Sequence, residues 1–341
     1  MEAGKRKLRD AGELELLSRI RARAAGAAAK GLRLGIGDDC ALIGVRPDEE
    51  LAVTTDLSIA GRHFNLNWHP AEAVGHRTLT RGLSDLAAMG ARPVAAFLSL
   101  GLPRELTRAG GRGRSWLDRF MDGFLALGAQ YGVPLAGGDL AESPVAAADI
   151  VLVGAVRRGK ALKRSLARVG DAIYVTGRLG GAAAGLELLS ELAGREAGAG
   201  PLRIPARLKP ALEPHLHPVP RVAQGLALVR RGLARAGMDL SDGLSTDLAR
   251  LCRESGVATE VEAGLLPVSP GATLRQALDG GEDYELLFTA PAAKKMPEAI
   301  AGVAVTRIGR VVRRRAGRPL ATLMTDGHKQ PLEAGGWEHF T

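Results

Sequence analysis

Aromatic residues make up only 4% of this 341-residue chain, and its cysteines are limited to Cys40 and Cys252. Two thiols exclude a disulfide scaffold and a cysteine-rich zinc module, and they fit a reducing compartment. No run of about 18 apolar residues occurs, so no membrane-spanning helix is expected. The opening MEAGKRKLRDAGELE is too polar to contain the core of a secretion signal. The expected location is the cytoplasm. The usual nucleotide and zinc signatures are missing as well: there is no GxxxxGKS/T, no GxGxxG, no CxxC and no HExxH. A nucleotide held by this chain is therefore held by something other than a P-loop. Net charge is +9, from 46 Lys+Arg against 37 Asp+Glu. The basic runs KRK at 5–7 and RRR at 313–315 contain no aromatic residue to stack on bases. That argues against a single-stranded nucleic-acid partner and leaves attraction of small anions as a use for the charge. The stretch RRRAGR is expected to form a hairpin tip.

What is present describes a globular protein, 46% hydrophobic and 24% charged, of a length that predicts two domains. From Glu50, ELAVTTDLSI alternates and is β-branched, which predicts a strand. HPAEAVGHRTLTRGLSDLAAMGA places Pro70 near a first turn and Leu79, Leu83, Leu86 and Ala87 at helical spacing, which puts Asp85 on a helix. A second helix is predicted around Ser115 to Tyr131, followed by a strand at 149–156. Another strand is predicted at 172–177, and YELLFT and VAVTRIGRVVR read as strands near the end. The Gly/Pro-rich stretch 194–220 reads as a loop or linker, with His215 and His217 in structural or exposed roles. In DLSDGLSTDLARLCRES, Ser241 and Asp242 suit a helix cap ahead of a stripe formed by Leu244, Leu248, Leu251 and Cys252. Strands alternating with long helices predict an α+β or α/β layer architecture.

Five short carboxylate motifs recur along the chain, four of them with a carboxylate beside glycine: GIGDDC (35–40), LSD (83–85), GGDL (137–140), DLSDG (239–243) and GGEDYE (280–285). Hard Mg²⁺ prefers carboxylate oxygen and usually sits on one or two carboxylates plus substrate phosphates. Glycine beside such a carboxylate lets backbone approach a polyphosphate closely. Taken one at a time, each Asp also suits a turn or a cap. Asp38 and Asp39 are neighbours that an extended backbone points to opposite faces, so one of them is expected to serve a site. Ser241 and Asp242 also lie where a helix start favours an anion.

Taken together, GIGDDCAL, TTDLSIAGRHF, GLSDLAAMGA, LAGGD, KRS, YVTG, PVPR, DLSDGLSTDL, GGEDYELLFT and the closing GWEHF resemble the bacterial thiamine-monophosphate kinase family. These motifs run in family order over nearly the whole chain. The superfamily, which includes aminoimidazole ribonucleotide synthetase and selenophosphate synthetase, binds ATP with several Mg²⁺ ions in place of a P-loop. The resemblance implies an α+β fold of two domains with ATP between them. The N-terminal domain would dimerise through its sheets into a barrel, giving a homodimer, and the C-terminal domain would be α/β. The division expected is a flexible extension at 1–10, a metal- and ATP-binding dimerisation domain at 11–156, and a domain at 157–341 that completes the nucleotide and substrate site. The implied Mg²⁺ ligands are Asp39, Asp56, Asp85, Asp139, Asp239 and Asp242, joined by Thr54 or Thr55. Gly138, Asp139, Arg164 and Ser241 would contact ATP. His63, Glu282 and Trp337 would contact thiamine monophosphate. Two departures stand out: Thr54 replaces a frequent serine, and the family's arginine-serine-glycine reads Arg164-Ser165-Leu166.

The implied reaction is transfer of the γ-phosphate of ATP to thiamine monophosphate. A phosphate monoester is already largely ionised at pH 7, so no general base is expected; Asp39, Asp56 and Asp85 would act through bound metals. The alternatives are another ATP-using superfamily member, resembling selenophosphate synthetase or aminoimidazole ribonucleotide synthetase, and a basic nucleic-acid binder. The first is disfavoured by the lack of a reactive cysteine-lysine motif near the N-terminus. The second leaves the carboxylate motifs unexplained.

Overall fold

Alternation builds the strand Glu49–Ile59, in which Leu51, Val53, Thr55 and Leu57 are exposed on one side while Ser58 is buried on the other. The computed structural model describes residues 12–24, 30–36, 40–109, 113–195 and 202–338. The 1–10 extension, the KRK run, Asp38 and Asp39 lie outside the described residues. The chain divides into two compact units. One comprises Met1–Val45, Val53–Gly82 and Pro93–Val153, and the other comprises Arg46–Ala52, Leu83–Arg92 and Gly154–Thr341.

Most of a four-stranded sheet lies in the first unit, with the order Glu49–Ile59, Ala147–Arg157, Arg92–Leu102, Leu135–Glu142. Two helices accompany it. Ala71–Met89 follows Pro70, and Trp116–Tyr131 begins at a capping box in which the Ser115 hydroxyl accepts from the Asp118 N–H. Leu79 is fully buried, as are Val94 and Ala96 on one side of Arg92–Leu102, with Leu98 and Leu100 on that side nearly so. The two helices approach at glycine. A Cβ on Gly75 would stand 1.9 Å from the Phe120 carbonyl, and one on Gly123 would stand 1.8 Å from that of Glu72.

The second unit carries an eight-stranded sheet in the order His328–Pro331, Ala321–Thr325, Ala258–Glu262, Val303–Val312, Asp171–Thr176, Leu286–Pro291, Ala236–Asp239, with Ala299–Ile300 pairing off Val303–Val312. Its core is aliphatic, built on Ile173, Val175, Leu248, Leu251, Leu287 and Ile308. Mixed helices and sheets in each unit agree with the expected α+β content.

Three local expectations are corrected. The stretch 194–220 is not all loop: it contains the helix Lys209–Leu216, where the apolar residues Leu212 and Leu216 are buried despite Pro214 within it. RRRAGR is not a hairpin tip, because Val303–Val312 and Ala321–Thr325 are not neighbours; Ala258–Glu262 lies between them, parallel to the latter. Ser241 and Asp242 do not cap the following helix. Leu244–Ser255 has Gly243 at its N-cap, with φ +111°, a value that glycine tolerates and L side chains rarely adopt.

Candidate functional site

Within the first unit, strand alternation sorts the Thr-Thr-Asp motif. Thr54, Asp56 and Ser58 share one side of Glu49–Ile59, and Thr55 faces the other with Val53 and Leu57. The Asp56 carboxylate receives Arg81 Nη1 at 2.7 Å. His63 Nδ1 accepts the Ile59 N–H at 3.1 Å, so a neutral ring carries its proton on Nε2. Arg77 donates to the His63 carbonyl at 3.2 Å, and His63, Arg77 and Arg81 line a common crevice. Gly138 and Asp139 lie on Leu135–Glu142, parallel to Arg92–Leu102 and in register with Leu98 and Ser99. Gly138 has φ +148°, and a Cβ there would stand 1.9 Å from the Leu98 carbonyl, so strand packing alone already demands this glycine. Asp139 is exposed, and its Oδ1 accepts the Leu140 N–H.

Within the second unit the DLSDG and GGEDYE segments are zipped together. Leu240 N donates to the Glu285 carbonyl, Tyr284 N to that of Leu240, and Glu282 N to that of Ser241, at 2.8, 2.9 and 2.8 Å. Glu282 and Tyr284 hold φ +66° and +51°, a left-handed conformation that non-glycine residues keep only where neighbours enforce it. Enforcement comes from both sides. Asp283 accepts the N–H groups of Gly180 and Ala182, at 2.6 and 3.1 Å, where the helix Gly181–Arg195 begins. Glu285 receives Arg221 through Nε and Nη2, at 2.7 and 2.5 Å, and the Thr176 hydroxyl at 2.6 Å. The motifs YVTG, PVPR and GGEDYE thus meet in one buried ion-pair network. Glu282 itself lies 3.8 Å from Nδ1 of buried His215, while His217 pairs with Glu213.

The carboxylates of DLSDG are crowded. Asp239 is buried and accepts the Ser84 hydroxyl at 2.7 Å, next along the helix to half-buried Asp85. Burial pushes its acid up, against the Ser84 bond and the positive charge of Arg164, while Asp242 adds to the rise. Asp247, wholly buried in the first helical turn, accepts the N–H groups of both Ser241 and Asp242 at 3.0 Å. Its acid is pushed up to about 7, first by burial and then by the charge of Asp239. Arg250 ties Asp242 to Asp247. The N–H groups expected to meet an anion at Ser241 and Asp242 are therefore spent on Asp247. Trp337, 47% exposed, is joined to the same turn by its own N–H, which donates to the Asp242 carbonyl. Among the described residues, no group of three or more His, Cys, Asp or Glu side chains is drawn close enough to hold a metal ion unaided.

The sequence matches the family model of the AIR synthase related protein N-terminal domain over residues 37–157 and that of its C-terminal domain over 168–320. It is 38% identical over 324 residues to the thiamine-monophosphate kinase of Escherichia coli strain K12, covering 91% of this chain and 92% of that protein. This chain belongs to the thiamine-monophosphate kinase family. The fold agrees with the crystal structure of thiamine-monophosphate kinase from Stenotrophomonas maltophilia K279a, with TM-score 0.75 and 37% identity over 95% of this chain and 98% of that one. It also agrees with AaThiL complexed with AMPPCP and TMP, with TM-score 0.72 and 31% identity over 96% and 97% of the two chains. In this thiamine-monophosphate kinase family member, sequence reasoning passed over Asp247, Asp283, Glu285 and Arg221. The motifs contained or adjoined each of them. The signal for the three carboxylates is the backbone N–H or side chain they receive, and for Arg221 the carboxylate it donates to, and only the folded chain supplies these.

Proposed function

We propose that this chain transfers the γ-phosphoryl group of ATP to thiamine monophosphate, releasing thiamine diphosphate and ADP by direct in-line displacement. The observation that carries this reading is the 38% identity to a thiamine-monophosphate kinase over nine-tenths of both chains, in a fold shared with a relative that binds AMPPCP and TMP. The acceptor oxygen of a phosphate monoester, whose second pKa is about 6, needs no base to remove a proton. The protein's task is to position two anions and offset their charge.

The donor set favours Mg²⁺ for that work. The candidate ligands are hard oxygens, and the acids of buried Asp239 and Asp247 are raised in part by neighbouring carboxylates, a repulsion that a bound cation relieves. In this proposal Asp39, Asp56, Asp85, Asp139, Asp239 and Asp242, with the hydroxyl of Thr54, would hold Mg²⁺, which would supply charge neutralisation at the phosphates; Thr55, the other hydroxyl expected there, faces the opposite side of the strand from Asp56 and is set aside. Gly138, Asp139, Arg164 and Ser241 bind ATP. His63, Glu282 and Trp337 bind thiamine monophosphate, with Trp337 stacking on a ring and Glu282 offsetting the cationic thiazolium. The functional division falls at residues 156 and 157. The N-terminal sheet pairs with that of a second copy to form a homodimer, a role supported by Val53 and Leu57, which are 60% and 49% exposed on one strand face. The cytoplasm is the proposed location, and neither nucleic acid nor membrane is a partner.

The test is incubation of purified protein with ATP, Mg²⁺ and thiamine monophosphate, followed by chromatographic separation of thiamine species. Thiamine diphosphate is expected only with metal and only from the monophosphate. Product from free thiamine, or no product at all, overturns the reading.

A further inference from the structure

Residues 335–337, Gly-Gly-Trp, lie against the first turn of the helix Leu244–Ser255, and three successive N–H groups are spent there. Gly335 donates to Ser245 Oγ at 3.2 Å, Gly336 to Thr246 Oγ1 at 3.0 Å, and Trp337 to the Asp242 carbonyl at 3.0 Å. The fit leaves no space for a side chain at 336. A Cβ there would stand 2.0 Å from the Asp242 carbonyl oxygen and 2.7 Å from Thr246 Oγ1. At 335 a Cβ would come within 2.9 Å of Asp279 Oδ1, which accepts the Ser245 hydroxyl at 2.7 Å. Asp279 in turn lines an open cleft of about 430 Å³ at the start of the GGEDYE segment. Trp337 is nearly half exposed, and the backbone bonds to the helix turn help to fix its position.

We infer that Ser245, Thr246 and Gly336 are positioning residues for Trp337, holding its indole on the same turn that presents Ser241 and Asp242, directly after the strand that ends in Asp239. One piece of backbone then sets the spacing between the group that meets the thiamine ring and the groups that serve the phosphates. This inference rests on the kinase reading and on Trp337 as a ring contact. It makes glycine at 336 a determinant of acceptor recognition. The residue touches no substrate itself, yet any Cβ there moves the indole away from the turn.

Gly336→Ala, Thr246→Val and Trp337→Ala test it, with Michaelis constants measured separately for thiamine monophosphate and ATP, and with quenching of tryptophan fluorescence by thiamine monophosphate as a binding readout. Gly336→Ala is expected to raise the Michaelis constant for thiamine monophosphate about tenfold, the worth of one aromatic contact, and to abolish the Trp337 share of the quenching. Thr246→Val, which keeps the side-chain shape, is expected to raise that constant less. The constant for ATP stays within about twofold in both variants, and the double variant Gly336→Ala with Trp337→Ala is no worse than Trp337→Ala alone. An unchanged constant for thiamine monophosphate in Gly336→Ala, an equal rise for ATP, or additive losses in the double variant each overturn the inference while wild-type activity stands. Wild-type protein that forms no thiamine diphosphate overturns the kinase reading and this inference with it.

Discussion

Asp283 and Asp247 are buried carboxyls whose acids are pushed up to about 7, in each case chiefly by loss of water and against hydrogen bonds from backbone N–H groups. In the unfolded chain both titrate near pH 3.9. Across the window from about pH 4 to 7 the folded protein therefore holds protons that the unfolded chain has lost, and stability falls as pH rises through it. The thermal midpoint of the ligand-free protein is expected to be lower at pH 8 than at pH 5.5. Asp283→Asn, neutral at every pH and still able to accept one N–H, should flatten that slope in differential scanning calorimetry. A variant whose slope matches wild type would show that Asp283 is already ionised when the chain folds. The motif reading reached the neighbour, Glu282, and passed over Asp283, because the carboxylate's use depends on amides more than 100 positions earlier.

Among the elements, the pair of helices Ala71–Met89 and Trp116–Tyr131 was legible from its apolar spacing, from Pro70, and from Ser115 at the second start. The two glycines at their crossing were not, since glycine in a helix interior reads as a weakness. Substituting alanine for a helical glycine ordinarily stabilises by about 1 kcal/mol. At Gly75 the added methyl would meet main-chain atoms of Phe120 at 1.9 Å, and main chain cannot rotate aside as a side chain does. Overpacking of this kind costs about 1–3 kcal/mol, so the sign reverses. Gly75→Ala is expected to lower the urea midpoint; a raised midpoint would mean the helices separate without loss. The segment containing Lys209–Leu216 misled the sequence reading for the opposite reason. Proline and glycine there outweigh propensity, while burial of Leu212 and Leu216 decides in favour of a helix.

For the whole molecule, the outward face of Glu49–Ile59 is where association is expected. Leu51, Val53 and Leu57 expose about half of their surface or more, on the strand face opposite Thr54, Asp56 and buried Ser58. Val53→Lys places a charge in the face assigned to the dimer. If the proposed homodimer forms, light scattering should report a dimer for wild type and a monomer for the variant, and a variant that still dimerises would move the interface elsewhere.

Sequence by itself determined the strand and helix periods, the absence of a P-loop, and an ordered set of motifs that belongs to one kinase family. Local spacing carries that information, because each motif is contiguous and each element repeats with its own period. Tertiary structure alone decided what each motif residue meets: Arg81 on Asp56, Asp247 beneath Ser241 and Asp242, Arg221 and Thr176 on Glu285, and Gly336 on Thr246. The last pair is 90 positions apart in the chain, and Arg221 and Glu285 are 64 apart. Such contacts are set by how a core closes around buried charge and backbone, where every polar group needs a partner. No local pattern of residues records that partner in advance.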